Sequence, residues 1–223
     1  MKTVAGVIID HMAPMDLFGP VQAFNLAFAS DAHGAPDLQK PLYQTITIGK
    51  EQGAVATGNN GSGPAVIVDY GFWDDVEYDI LLIPGGTGTR SLVDDEKFIE
   101  SLQLACNKAS VVASVCTGAA LLAKTGILNG KPATTNKIAW SWVVEQGPKV
   151  NWHCPPRWVN LIDKQTQSGI ITSAGVSAGI DMTLAIIEAL DGEQIANNAA
   201  ELMEYTWTND PNNDPFSYLC DGL

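Results

Sequence analysis

The chain has 223 residues, 46% of them hydrophobic and 17% charged, which is enough apolar material for one core and one domain over 1–223. A formal net charge of −13 repels phosphate backbones and anionic membranes, so neither a nucleic acid nor a membrane is an expected partner. No stretch reaches the ~18 uninterrupted apolar residues of a membrane span, and MKTVAGVIIDHMAPMDLF places Asp10 and Asp16 where a secretory leader needs a small-residue cleavage site.

Short apolar runs alternate with longer helical patterns, which predicts an α/β sandwich with a mainly parallel central sheet. TVAGVIID (3–10) reads as the first strand. DLFGPVQAFNLAFAS (16–30) reads as a helix with Leu17, Val21, Phe24 and Phe28 on one face. SDAHGAPDLQKP (30–41) and ATGNNGSGP (56–64) suit loops, and YQTITIG (43–49) between them alternates like a strand. DILLIPGG (79–86) is continuously apolar until Pro-Gly-Gly, as a central strand buried on both faces would be. DDEKFIESLQLACNKAS (94–110) is an amphipathic helix with an acidic start.

VVASV (111–115) returns to a strand, and TGAALLAKTGIL (117–128) to a helix. NLIDK (160–164) and SGIITSAG (168–175) predict a hairpin or paired strands. SAGIDMTLAIIEALDG (177–192) is a helix opened by Ser177 and closed by Gly192, and EQIANNAAELMEYTWT (193–208) is a second. The remaining tail is turn-rich and expected on the surface. Trp140, Trp142, Trp152, Trp158 and Trp207 are expected in core or subunit contacts. No internal repeat and no metal-ligand spacing is seen; the acidic run WDDVEYD (73–79) lacks a calcium-loop pattern.

Cys116 stands where a buried strand stops and a helix starts. Such a turn can present a nucleophile above the carboxyl ends of parallel strands, where sites in open α/β sheets gather. The helix N-terminus is expected to favour thiolate and lower the thiol pKa. Asp16 follows the first strand and would reach the same sheet edge if the two strands are neighbours; a carboxyl there can exchange a proton with the thiol. A helix N-cap is its plainer role. PGGTGTR (84–90) and TSAGVSAGID (172–181) let backbone approach a ligand closely. Cys106, Cys116, Cys154 and Cys220 form no close pair, which favours a reducing, cytoplasmic setting. On this reading Cys106 and Cys154 are incidental and Cys220 is an exposed thiol.

LLIPGGTGT, ASVCTGAALLAKTGILNGKPATT and TSAGVSAGIDMTL together resemble the ThiJ/PfpI superfamily of the class I glutamine amidotransferase-like fold, in order from Val4 to about Leu190. PMDLFGP with a CTG elbow is most similar to its isonitrile hydratase branch and equally to the matching half of AraC-type regulators. The resemblance implies a flavodoxin-like homodimer without a cofactor. Cys116 would be the reactive residue, Asp16 its acidic partner and Thr117 the neighbouring hydroxyl. Gly86 would turn its amide to the thiolate, and Ala174 and Gly175 would line the pocket, Ala174 standing where the hydratase has glycine.

Departures from the family pattern count too. Thr117 replaces the His of the protease-like elbow, and Asn136 stands where relatives often carry His. None of His11, His33 and His153 falls at an expected catalytic position, which lowers peptidase and glyoxalase readings. What the resemblance implies is hydration of an isonitrile to an N-substituted formamide through a thioimidate, with a small electrophile as substrate. Two other expectations stand beside it: an oxidation-sensing or metabolite-binding protein without turnover, and a glyoxalase or deglycase acting on methylglyoxal. The sequence shows no basic helix-turn-helix segment, which argues against direct DNA control.

Overall fold

The structure, a computed structural model, describes residues 1–221. Its centre is a seven-stranded sheet made of β1 (Lys2–Ile8), β2 (Tyr43–Gly49), β3 (Tyr70–Gly71), β4 (Ile80–Ile83), β5 (Val111–Val115), β6 (Trp158–Asn160) and β7 (Gly169–Ser173). The order across the sheet is β6-β7-β5-β4-β1-β2-β3. Every pairing is parallel except β6 with β7. The seven α-helices among the described residues are α1 (Pro14–Asn25), α2 (Thr89–Leu92), α3 (Glu96–Lys108), α4 (Gly118–Lys124), α5 (Trp140–Gln146), α6 (Ala178–Asp191) and α7 (Glu193–Leu202). Helices α1, α6 and α7 pack together, as do α2, α3 and α5 around α4, giving the layered α/β sandwich expected of a flavodoxin-like chain.

The apolar runs explain the sheet's centre. All four residues of β4 and all five of β5 are buried, because each strand is covered on both faces. Helix α3 starts where the Asp95 carboxylate accepts the Phe98 N–H at 3.1 Å, with Glu96 in the first turn and Lys108 in the last to complement the dipole. Helix α1 starts at Pro14, whose fixed φ suits the first helical position.

Strand order reverses between β1 and β4, which places a topological switch point at their carboxyl ends. The loops after both strands meet there: Ala13 N–H donates to the Gly85 carbonyl at 2.9 Å, and Met12 bridges Gly86. Ligand crevices of open α/β sheets form at such points.

Three local expectations change. The helix expected over 16–30 stops at Asn25, and Phe28–Ser30 instead forms an antiparallel ladder with Pro36–Pro41, within the stretch expected as a loop. The turn between them is held by the Asp31 carboxylate, which accepts the His33 and Ala35 N–H groups. The helix over 193–208 stops at Leu202, and Glu204 follows at φ 50. The third correction concerns cysteines. Cys154 and Cys220 are joined in a disulfide, so neither is incidental or free. Their separation of 66 residues hides the pairing from a reading by spacing; the tail crosses back over the fold and brings them together. This bond also removes the basis for inferring a reducing compartment from scattered cysteines. Among the described residues, no helix is long and apolar enough to cross a membrane.

The tail is otherwise only partly on the surface, because Asp214 is buried. Gly222 and Leu223, its last two positions, lie outside the described residues. Of the tryptophans, Trp158 is buried, Trp140 packs edge-on against Trp152, and Trp142 lies under the Arg90 guanidinium at 3.8 Å. Trp207 donates its indole N–H to the Asp181 carbonyl.

Candidate active site

Cys116 occupies the turn between β5 and α4 with φ 58, a left-handed conformation that costs a residue with a Cβ. The surroundings fix this turn from both sides. The Cys116 N–H donates to the Ala174 carbonyl at 3.1 Å, and its carbonyl accepts the Thr135 hydroxyl at 2.7 Å. Gly118 follows because a Cβ there would lie 2.5 Å from the Ile83 carbonyl oxygen. The side chain is therefore aimed by the packing of two neighbouring strand ends.

Asp16 comes from the first turn of α1 and is fully buried. It is no N-cap: Ala13 holds that position, and the Asp16 side chain turns inward. One carboxylate oxygen, Oδ2, accepts the Gly85 N–H at 2.9 Å, while Oδ1 has no hydrogen-bond partner in this buried setting. Burial raises its pKa to about 6; the Gly85 N–H and then the Cys116 side chain act the other way. At neutral pH the group is mainly a carboxylate next to a thiol.

The thiol pKa is the main electrostatic correction. Burial pushes Cys116 up to about 12, and the Asp16 charge adds to the rise. The amides of Thr117 and Val176 and the side chain of Asn136 oppose it without prevailing. Burial and the Asp16 charge thus act against the thiolate expected from the helix start, and the Thr117 and Val176 amides and Asn136 act for it.

Gly86 also differs from expectation. Its N–H donates to Thr117 Oγ1 at 2.9 Å, so this amide is spent on the hydroxyl and does not face the sulfur. Thr89, buried behind it, has its hydroxyl 2.8 Å from the Gly86 carbonyl and 3.2 Å from Thr117 Oγ1. The turn 84–88 thus holds Thr117 in place. Gly85 is required at its centre, since a Cβ there would come within 2.7 Å of Thr117 Oγ1 and 2.9 Å of Asp16 Oδ2.

Two residues near the sulfur escaped the sequence reading. Asn136 donates from Nδ2 to Cys116 Sγ at 3.2 Å, and its Oδ1 accepts the Ala139 N–H, which fixes the amide's orientation. It was visible only as a missing histidine. Val176 turns its amide to the sulfur at φ 36, a rare conformation for a β-branched residue. It lies in the TSAGVSAGID segment, whose small residues pointed to close backbone approach without marking this amide. Of the other expected residues, Ala174 anchors the elbow through its carbonyl, and Gly175 makes room for Asn136, whose Nδ2 would lie 2.6 Å from a Cβ at that position.

A cavity of about 240 Å³ opens beside Asn136 and Val176 and is lined further by Ala174 and Gly175. Neither this cavity nor a larger cleft of about 460 Å³ between Asp10, Lys50 and Phe98 is lined by Cys116 or Asp16; the smaller one reaches the sulfur through Asn136.

The model of the DJ-1/PfpI family matches residues 2–189. Isonitrile hydratase of Pseudomonas putida is 30% identical over 135 residues, 60% of this chain and 55% of that protein. Protein/nucleic acid deglycase 2 of Escherichia coli is 30% identical over 46% of this chain and 60% of its own length. This chain thus spans little more than half the length of the curated relatives it matches. A ThiJ/PfpI family protein from Pseudomonas syringae has the same fold, with a TM-score of 0.74 and 24% identity over 96% of this chain and 77% of that one.

Proposed function

The chain belongs to the DJ-1/PfpI family, and on that premise we propose that it is a cysteine-dependent enzyme adding water to a small carbon electrophile. The specific reaction proposed is hydration of an isonitrile to an N-substituted formamide. The observation that carries this reading is a buried thiol and a buried carboxyl, Cys116 and Asp16, close enough to act on each other's ionisation. The similarity to isonitrile hydratase of Pseudomonas putida supports the choice of substrate class.

In this reaction the Asp16 carboxylate takes the thiol proton as the Cys116 sulfur attacks the terminal isonitrile carbon. The same proton passes to that carbon, and a thioimidate with a new S–C bond results. Water then adds across the C=N bond, Asp16 relaying its proton to nitrogen. The C–S bond breaks, the sulfur regains a proton through Asp16, and the formamide leaves. One isonitrile and one water are consumed per formamide. The amides of Thr117 and Val176 and the Asn136 side chain stabilise the negative sulfur as it forms, and Thr117 orders the water.

The carboxyl of Asp16 beside the thiol suits proton transfer coupled to attack. The test is turnover of phenyl isonitrile, with formanilide as the measured product. Cys116→Ala is expected to reduce it to background with near-UV circular dichroism unchanged. Wild-type protein that releases no formanilide, yet makes lactate from methylglyoxal, would transfer the assignment to the deglycase side of the family.

A further inference from the structure

The C-terminal segment lines the cavity next to Asn136, the residue that donates to Cys116 Sγ. Phe216 and Leu219 line that space of about 240 Å³ together with Ile138 and Val176. Ile138 and Phe216 remain 79% and 48% exposed, unusual for large apolar side chains unless something covers them. Asn136 is in the same lining and also donates to the sulfur, so cavity and thiol share a residue.

The wall is held by buried ion pairs. Lys137 contacts Asp214 at 2.6 Å, and Arg157 contacts Asp214 at 3.4 Å and Asp181 at 2.6 Å, with all four side chains nearly inaccessible. Asp214 also accepts the Phe216 N–H, and the Arg157 N–H donates to the Pro211 carbonyl. The Cys154–Cys220 bond fastens the far end. Such anchoring exceeds what a passive surface tail needs, and it orders the segment that carries Phe216 and Leu219.

We infer that this cavity is a specificity pocket for the organic substituent of the electrophile attacked at Cys116, and that it takes one aromatic ring or branched alkyl group, with Phe216 and Leu219 as its selecting residues. The inference rests on the proposed function for the position of the reacting carbon. Its size, below the ~300–1,000 Å³ of drug-sized sites, fits a single ring. The lining is mainly apolar, and the charged groups behind it are already paired to one another, so a polar or anionic substituent gains nothing there.

Binding of formanilide and N-methylformamide, measured by calorimetry, tests this without requiring turnover. The wild type is expected to bind formanilide at least ten-fold tighter. Phe216→Ala and Leu219→Ala are each expected to reduce that preference several-fold while leaving N-methylformamide and the melting temperature unchanged. Equal binding of the two amides, or a preference that survives both substitutions, overturns the inference. So does a change of oligomeric state on Phe216→Ala without loss of preference, since the exposed apolar rim would then be a subunit contact. A parallel assay with phenyl and methyl isonitrile separates the two claims. If neither is hydrated the proposed reaction fails, while the calorimetric contrast still decides the pocket.

Discussion

At the scale of single residues, Asp16 makes the sharpest prediction. Its carboxyl holds its proton in the folded chain up to about pH 6, against 3.8 for an ordinary Asp. Between those values the folded state binds more protons than the unfolded state, so stability declines as pH rises through the window. The displacement corresponds to a cost on the order of 3 kcal/mol at neutral pH. Asp16→Asn keeps an acceptor for the Gly85 N–H and removes the charge. It is therefore expected to raise the denaturation midpoint at pH 7 and to leave it nearly unchanged below pH 4, while abolishing hydration. In the wild type, kcat/KM should rise with pH to a plateau above an inflection near 6, where the base becomes available. An Asp16→Asn variant less stable than wild type at pH 7 would show that the carboxylate is a structural tie and not a strained functional group.

At the scale of elements, the site is a meeting of strand ends, and this is where sequence reading succeeded and failed. The junctions after β4 and β5 were legible because continuous apolar runs ending in Pro-Gly-Gly or in Cys-Thr-Gly have few other foldings. Their adjacency followed only conditionally, and the structure supplies it through the switch between β1 and β4. A helix start is a local feature, whereas the burial that opposes ionisation of the sulfur is made by distant segments. The same distance hid Asn136 and Val176, which lie on two different loops. Gly175 links these loops physically. A Cβ there would meet Asn136 Nδ2 at 2.6 Å, so Gly175→Ala should push the amide off the sulfur. A hydrogen bond to a charged group is worth about 1.5–3 kcal/mol, so Gly175→Ala and Asn136→Ala should each lower kcat by about ten-fold or more. Both should also slow iodoacetamide labelling of Cys116 and shift its pH profile upward. Labelling rates equal to wild type would place Asn136 outside the machinery that supports the thiolate.

At the scale of the whole molecule, the disulfide separates two kinds of order. The sheet, with β4 and β5 wholly buried, does not depend on it, whereas the segment after α7 carries little regular structure beyond a short helical turn at Ser217–Cys220. For a closed loop of 66 residues, the chain-entropy estimate of stabilisation is about 4 kcal/mol, an upper figure if the tail can detach alone. The buried pairs of Lys137, Arg157, Asp181 and Asp214 oppose detachment, since an unpaired charge in that position is costly. Reduction is thus expected to loosen the tail before it unfolds the sheet. With Cys154→Ser and Cys220→Ser together, chymotrypsin should cut at Phe216 and Tyr218 several-fold faster, while near-UV circular dichroism from the core changes little. The preference for aryl over methyl isonitriles should fall in the same variant, because the wall that selects them is the segment released. If cleavage accelerates and the preference stays, the tail is a tether with no part in the pocket; if neither moves, the ion pairs alone hold the wall.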